Sequence, residues 1–181
     1  MKLQRVSQVE HRELADAMRP YLAELAKVEG DQAEATSMDY SYLPLYWTES
    51  GREAYWLEEQ GSRAGFALIN RHTFVRNDAW SVSEFYVAPP WRQNGLGRQA
   101  ACALLTLHPG WWEIGILPGH IAALAFWTSV LEGCPGVGLE QFQPGTVGDW
   151  KGHLLVVDVP PNPALQADDH LGRVAPAVAR R

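Results

Sequence analysis

The chain has 181 residues with 46% hydrophobic and 20% charged side chains, which fits one globular domain with a substantial core. A formal charge of −6 argues against a nucleic-acid partner, which would select a basic footprint, and suits a cationic one. No apolar run could span a bilayer and the N-terminus carries no leader pattern, so a cytoplasmic protein that does not engage membranes is expected.

In chain order, residues 3–6 predict a short strand. Ser7 and Glu10 then have capping-box spacing, and Leu14, Met18, Leu22 and Leu25 form a helical stripe that Pro20 should kink or break. Residues 38–47 are aromatic without a clean period. Residues 53–59 and 64–73 predict a hairpin turning at Gly61. Residues 79–88, rich in aromatic and β-branched types, predict another strand.

That strand runs into Arg92-Gln93-Asn94-Gly95-Leu96-Gly97-Arg98, where a basic glycine turn opens a helix. Free N–H groups and the dipole at a helix N-terminus attract phosphate, and Gly95 and Gly97 let backbone approach it closely. Arg92 and Arg98 add charge beside the turn. The spacing is not that of a Walker loop. Ala100 keeps a dinucleotide fingerprint open, but the acidic residue expected about twenty positions on is missing.

In the helix that follows, Leu96, Ala100, Ala103, Leu104 and Leu107 are expected to share the buried face until Pro109-Gly110 stops it. A strand over 111–116, a helix carrying Phe126 and Trp127, and strands over 138–143 and 151–159 complete the reading. Residues 1–160 are thus one domain, and 161–181 a mobile, Pro/Ala-rich tail. Cys102 should be a small buried residue. Neither cysteine nor any histidine has ligand spacing, so no metal is expected.

The strand, the Arg-x-x-Gly-x-Gly turn, the helix, the next strand and the Ala123-x-x-Phe126-Trp127 helix together resemble the GNAT superfamily of acetyl-CoA-dependent N-acetyltransferases. The resemblance is nearest to a branch of poorly characterised predicted acetyltransferases. It implies an α/β fold with a mixed, mostly antiparallel central sheet flanked by helices, opened by a V-shaped cofactor cleft. It also implies direct acetyl transfer from acetyl-CoA to a primary amine of a small molecule, with no covalent acyl-enzyme. A noncatalytic CoA-binding or ligand-binding module on the same fold is the alternative, and a homodimer is compatible with either.

Carried onto this chain, the resemblance assigns cofactor contacts to Val87, Ala88, Arg92, Gln93, Asn94, Gly95, Leu96, Gly97 and Arg98. Backbone from Tyr86 to Ala88 would pair with the pantetheine arm and supply the oxyanion donor. Glu84, set among aromatic residues that would raise its pKa, is the candidate general base, though an alternating strand could equally hold a solvated carboxylate. The family's usual Asn at the start of the last helix and Tyr seven residues later correspond to His120 and Trp127. Indole is no acid at neutral pH, so Tyr86 is the substitute expected for protonating the thiolate, and His120 and Trp127 are left as cofactor contacts. Tyr40, Tyr42, Tyr46, Trp47, Tyr55 and Trp56 crowd the region expected to hold the acceptor. Asp39, Glu49 or Glu53 could anchor its amine.

Overall fold

A computed structural model describes residues 1–29, 40–134 and 137–161. Seven strands form one sheet in the order β1-β2-β3-β4-β5-β7-β6: β1 Lys2–Arg5, β2 Glu53–Glu59, β3 Ser62–Asn70, β4 Trp80–Val87, β5 Gly110–Ile116, β6 Gly138–Phe142 and β7 His153–Val159. Every pairing is antiparallel except β4 with β5. Helices α1 His11–Glu29, α2 Leu96–Thr106 and α3 Ile121–Glu132 cover the sheet.

Alternation along the strands sorts the core into two layers. Tyr55, Leu57, Ala67 and Ile69 pack with α2 and α3, through Ala100, Leu104 and Trp127 among others. Their neighbours Ala54, Trp56, Phe66 and Leu68 pack with Leu14 and Met18 of α1. A sheet covered on both faces explains why its central strands are apolar almost throughout.

Three expectations are corrected. Pro20 does not break α1, which is continuous across it. Both Pro20 and Asp16, whose carbonyl loses its i+4 donor, lie on the exposed side, while Leu14 and Met18 anchor the opposite face. In α2 the buried set is Leu96, Ala100, Ala101, Leu104 and Leu105, and Leu107 is 42% exposed. The buried face thus takes in Ala101 and Leu105, and Leu107 is the cap residue just past the helix end. Cys102 is half-buried beside Cys134 rather than fully enclosed, and burial first, then that neighbour, pushes its thiol up to about 12. Strand ends otherwise differ from expectation by one to three residues, where turns consume polar positions. The expected tail, Pro161 apart, and the Met38 and Asp39 positions lie outside the described residues.

The decisive departure from regularity lies between β4 and β5. They pair only from Trp80–Val82 to Trp112–Ile114, although β4 runs on to Val87 and β5 to Ile116. At the same point Leu68 faces Glu84 while Ile69 faces Val82, so Ser83 is an extra, bulged residue. One inserted residue reverses the phase of a strand. Trp80 and Val82 face α2 and α3, and beyond the bulge Phe85 and Val87 take over that side. Tyr86 is left on the α1 side, and Glu84, two residues earlier, with it.

Candidate active site

The gap between the diverging strands opens into two connected cavities. The larger, about 750 Å³, is walled by Tyr21 and Glu24 of α1, the end of β4, the glycine turn and the start of α3. The smaller, about 300 Å³, lies against the middle of β4 and β5. Tyr21, Leu25, Phe85, His120, Ala123 and Trp127 line both.

The turn that floors the larger cavity has the backbone of an anion cradle. Gln93 at φ 64° and Gly95 at φ 83° bracket Asn94, and a non-glycine residue in that region is strained. No side chain caps α2 at Gly95, and the Asn94 side chain satisfies only the Leu96 N–H, at 3.2 Å. The two glycines serve different needs. Gly95 requires positive φ, whereas a Cβ on helical Gly97 would stand 3.2 Å from the Phe126 ring, so Gly97 lets α3 close over the turn. Acyl-carrying CoA fits this arrangement through its pyrophosphate, with the backbone N–H groups from Gln93 to Arg98, that of Leu96 apart, as the available donors.

Both motif arginines line the cavity, Arg92 bonded to α1 and Arg98 lying over the end of α3. Arg92 bonds Glu24 of α1 at 2.9 and 3.0 Å and donates from Nε to the Val87 carbonyl at 2.7 Å. It thereby fastens α1 to the end of β4. Arg98 covers Gly133 at the end of α3, where a Cβ would meet its guanidinium at 1.5 Å. That is the negative pole of the helix. Asn94 and Leu96 turn their side chains away, toward Glu59, Gln60 and Gln99. Ala88 donates its N–H to Ala64 of β3 at 2.8 Å, and its carbonyl accepts from Trp91. Strand alternation therefore directs the peptide groups of Phe85 and Val87, and not those of Ala88, toward the edge that β5 has left.

The smaller cavity contains Glu84, whose carboxylate accepts a hydrogen bond from the Tyr21 hydroxyl. Tyr40 and Tyr46 lie close enough to feel its charge, and burial followed by that charge pushes the Tyr40 hydroxyl well above its ordinary range. Tyr86 does not reach this cavity. Its hydroxyl faces Glu24 at 3.4 Å, with Arg92 over its ring. Trp127 stands edge-on to Phe85 at 5.2 Å and to Phe126 at 5.3 Å, an apolar wall between the cavities. His120 begins α3, and burial lowers its pKa against the opposing pull of Glu24.

Of the aromatic residues expected around an acceptor, none lines the smaller cavity: Tyr55 and Trp56 belong to the core, and Tyr46 is buried in the layer beneath α1. Glu53 is engaged with Arg5, Tyr55 and His108, and Glu49 with Arg52. The residues missed were Tyr21, which shares the face of Leu14, Met18 and Leu25 on α1, and Glu113. Glu113 is fully buried, and its carboxylate accepts the N–H groups of Phe74, Val75 and Arg76 at 2.6, 2.9 and 2.7 Å. It suspends the β3–β4 loop over β5, where Phe74 meets Trp150 at 5.0 Å, and Trp150 closes the smaller cavity. A lone acidic residue in an apolar strand was the available signal.

Residues 18–130 match the family described as the acetyltransferase (GNAT) family. The chain belongs to the GNAT acetyltransferase family. Among solved structures it is similar to an acetyltransferase from Thermus thermophilus, with TM-score 0.61 and 15% identity over 86% of this chain and 96% of that one. The spermidine N-acetyltransferase of Vibrio cholerae, in complex with CoA and spermine, gives 0.55 and 10%, covering 86% and 92%. The aminoglycoside 6'-acetyltransferase type Ii gives 0.56 and 14%, covering 90% and 100%. At these identities the likeness is one of fold. No curated protein matches the sequence. GNAT enzymes take their acetyl group from acetyl-CoA, and the mixed, mostly antiparallel sheet is that of the family. Among the described residues no helix is long and apolar enough to cross a membrane, and no group of His, Cys, Asp or Glu could hold a metal.

Proposed function

We propose that this GNAT protein acetylates the primary amine of a small molecule by direct transfer. The observation that carries the reading is the junction of two cavities, one floored by the glycine cradle and the other containing Glu84. A protonated amine entering the smaller cavity meets the Glu84 carboxylate, which accepts its proton and frees the lone pair for attack. Acetyl-CoA supplies the acyl group as a thioester and departs as the free thiol. The outward N–H groups of Phe85 and Val87 are the donors nearest the junction for a developing oxyanion.

The acid for the departing thiolate is the Tyr21 hydroxyl, which lines both cavities and can be reprotonated from Glu84 through the bond they share. Tyr21 replaces Tyr86 in that role, because Tyr86 is held toward Glu24. One ammonium proton thus passes through Glu84 and Tyr21 to sulfur. A second, lost from nitrogen as the amide forms, leaves to solvent, so atoms and charge balance. Trp127 at the family's usual tyrosine position keeps a noncatalytic CoA-binding module as the second reading. Thiol release separates the two. Amine-dependent release of CoA, reduced roughly tenfold or more in Tyr21→Phe with acetyl-CoA affinity unchanged, is expected. A chain that binds acetyl-CoA yet releases no thiol with any amine would leave the module.

A further inference from the structure

The acceptor's chemical class is written in the walls of the smaller cavity, and this inference rests on the acetyltransferase reading above. Its volume of about 300 Å³ is roughly twice the ~150 Å³ that suffices for a benzene ring. That admits one six-membered ring or a branched chain of similar bulk, with a short linker to the reacting nitrogen. Val82, Phe85, Ile114, Ile116, Trp127 and Trp150 make most of the lining apolar.

The polar side chains that line it are Tyr21, Ser83, Glu84 and His120. Glu84 and Ser83 sit together on β4, with the Tyr21 hydroxyl bonded to Glu84 and His120 at the opening toward the cofactor cleft. Glu84 is the sole carboxylate lining the cavity among the described residues. Glu24, the next acidic group along α1, lies in the cofactor cleft, where Arg92 neutralises it. His120 has its pKa lowered by burial, so at neutral pH it offers no positive charge to repel an ammonium. One carboxylate can compensate one cation. A second ammonium or several hydroxyls pressed against Trp150, Ile114 and Ile116 would meet no charged or polar side chain to replace the water they lose.

We infer that the acceptor is a compact monoamine, its single cationic nitrogen held at Glu84 and its body an apolar group about the size of one ring packed between Trp127 and Trp150. Polyamines and aminoglycosides, the substrates named for two structural relatives, are thereby disfavoured.

The test compares 2-phenylethylamine, spermidine and kanamycin as acceptors by thiol release. Binding of each is followed in parallel by quenching of tryptophan fluorescence, and acetyl-CoA binding by calorimetry. We expect kcat/KM for 2-phenylethylamine to exceed those of the other two at least tenfold, with its binding weakened about tenfold in Glu84→Gln. In Trp150→Ala, KM for 2-phenylethylamine should rise about fivefold while acetyl-CoA affinity holds, which also reports that the variant is folded. Preference for spermidine or kanamycin would overturn the monoamine assignment and leave the acetyltransferase reading standing. Absence of both binding and turnover of 2-phenylethylamine, by a chain that binds acetyl-CoA, would overturn it as well. Binding of 2-phenylethylamine with no thiol release from any of the three amines would uphold the cavity's ligand class and sink the acetyltransferase reading instead.

Discussion

The two cavities are built by opposite means. The polar end of the larger cavity is made chiefly of backbone: the turn from Gln93 to Arg98, the outward peptide groups of Phe85 and Val87, and a glycine that lets Phe126 close down. Although the cavity's walls reach from Tyr21 to Trp127, the donors of that turn are contiguous, because a helix N-terminus is a local object whose donors come from a single turn. The acceptor cavity is made of side chains from α1, β4, β5, α3 and the loop before β7, spread along the chain from Tyr21 to Trp150. A cofactor common to a family can be held by backbone geometry that tolerates sequence change. A particular acceptor requires particular side chains, which must be brought from wherever the fold can supply them.

If this division of labour is right, damage to one cavity should spare the other. The largest effect is expected from Glu84→Gln, which keeps the shape but removes the proton acceptor. Its kcat should fall by roughly 10²–10⁴, with the acetyl-CoA dissociation constant within about twofold of wild type by calorimetry. A comparable loss of acetyl-CoA affinity would show that Glu84 shapes the cleft instead. Next comes Gly97→Trp, whose indole must displace the Phe126 ring that a Cβ alone would approach to 3.2 Å. Overpacking of about 3 kcal/mol corresponds to roughly 100-fold weaker acetyl-CoA binding. Acceptor binding without cofactor should persist, and its loss would mean that the cavities collapse together.

Glu113→Ala sharpens the comparison from outside both cavities. Removing one buried carboxylate strands three loop N–H groups, at about 2–4 kcal/mol of unfolding free energy in urea titration. In the surviving folded fraction the acceptor's KM should rise through Phe74 and Trp150 while acetyl-CoA affinity stays put. The smallest effect concerns His120, which touches both cavities. Burial depresses its folded pKa below the ordinary 6.5, so the unfolded chain takes up that proton first as pH falls. The stability from keeping it neutral is complete above about pH 6.5 and is lost as pH drops through the folded value. His120→Asn should flatten the fall in Tm between about pH 7 and pH 5 by about 1–3 °C. An unchanged slope would locate the acid sensitivity elsewhere.

The same contrast explains what could be read without coordinates. Strand–turn–helix order, the capping signal at Ser7, the hairpin at Gly61 and the Arg92–Arg98 cradle are all encoded within about a dozen residues each, where local propensity and geometry dominate. Pro20 was misleading because its effect depends on which side of α1 faces solvent, and packing decides that. Gly97 was legible as a glycine the turn needs, but its reason, the Phe126 ring, comes from a separate helix farther along the chain.

Sequence by itself determined the family, the class of sheet, the position of the glycine turn before α2 and the candidacy of Glu84. Tertiary structure alone decided that a one-residue bulge at Ser83 turns Glu84 toward α1, and that Tyr21 from sixty-three positions away lays its hydroxyl on that carboxylate. It also decided that Arg92 is fastened to α1 through Glu24 and that Arg98 lies over Gly133 at the end of α3. The reason is physical. A turn is specified by torsions that neighbouring residues impose on one another, whereas a cavity between side chains exists only after long-range strand register and helix packing have fixed which surfaces meet.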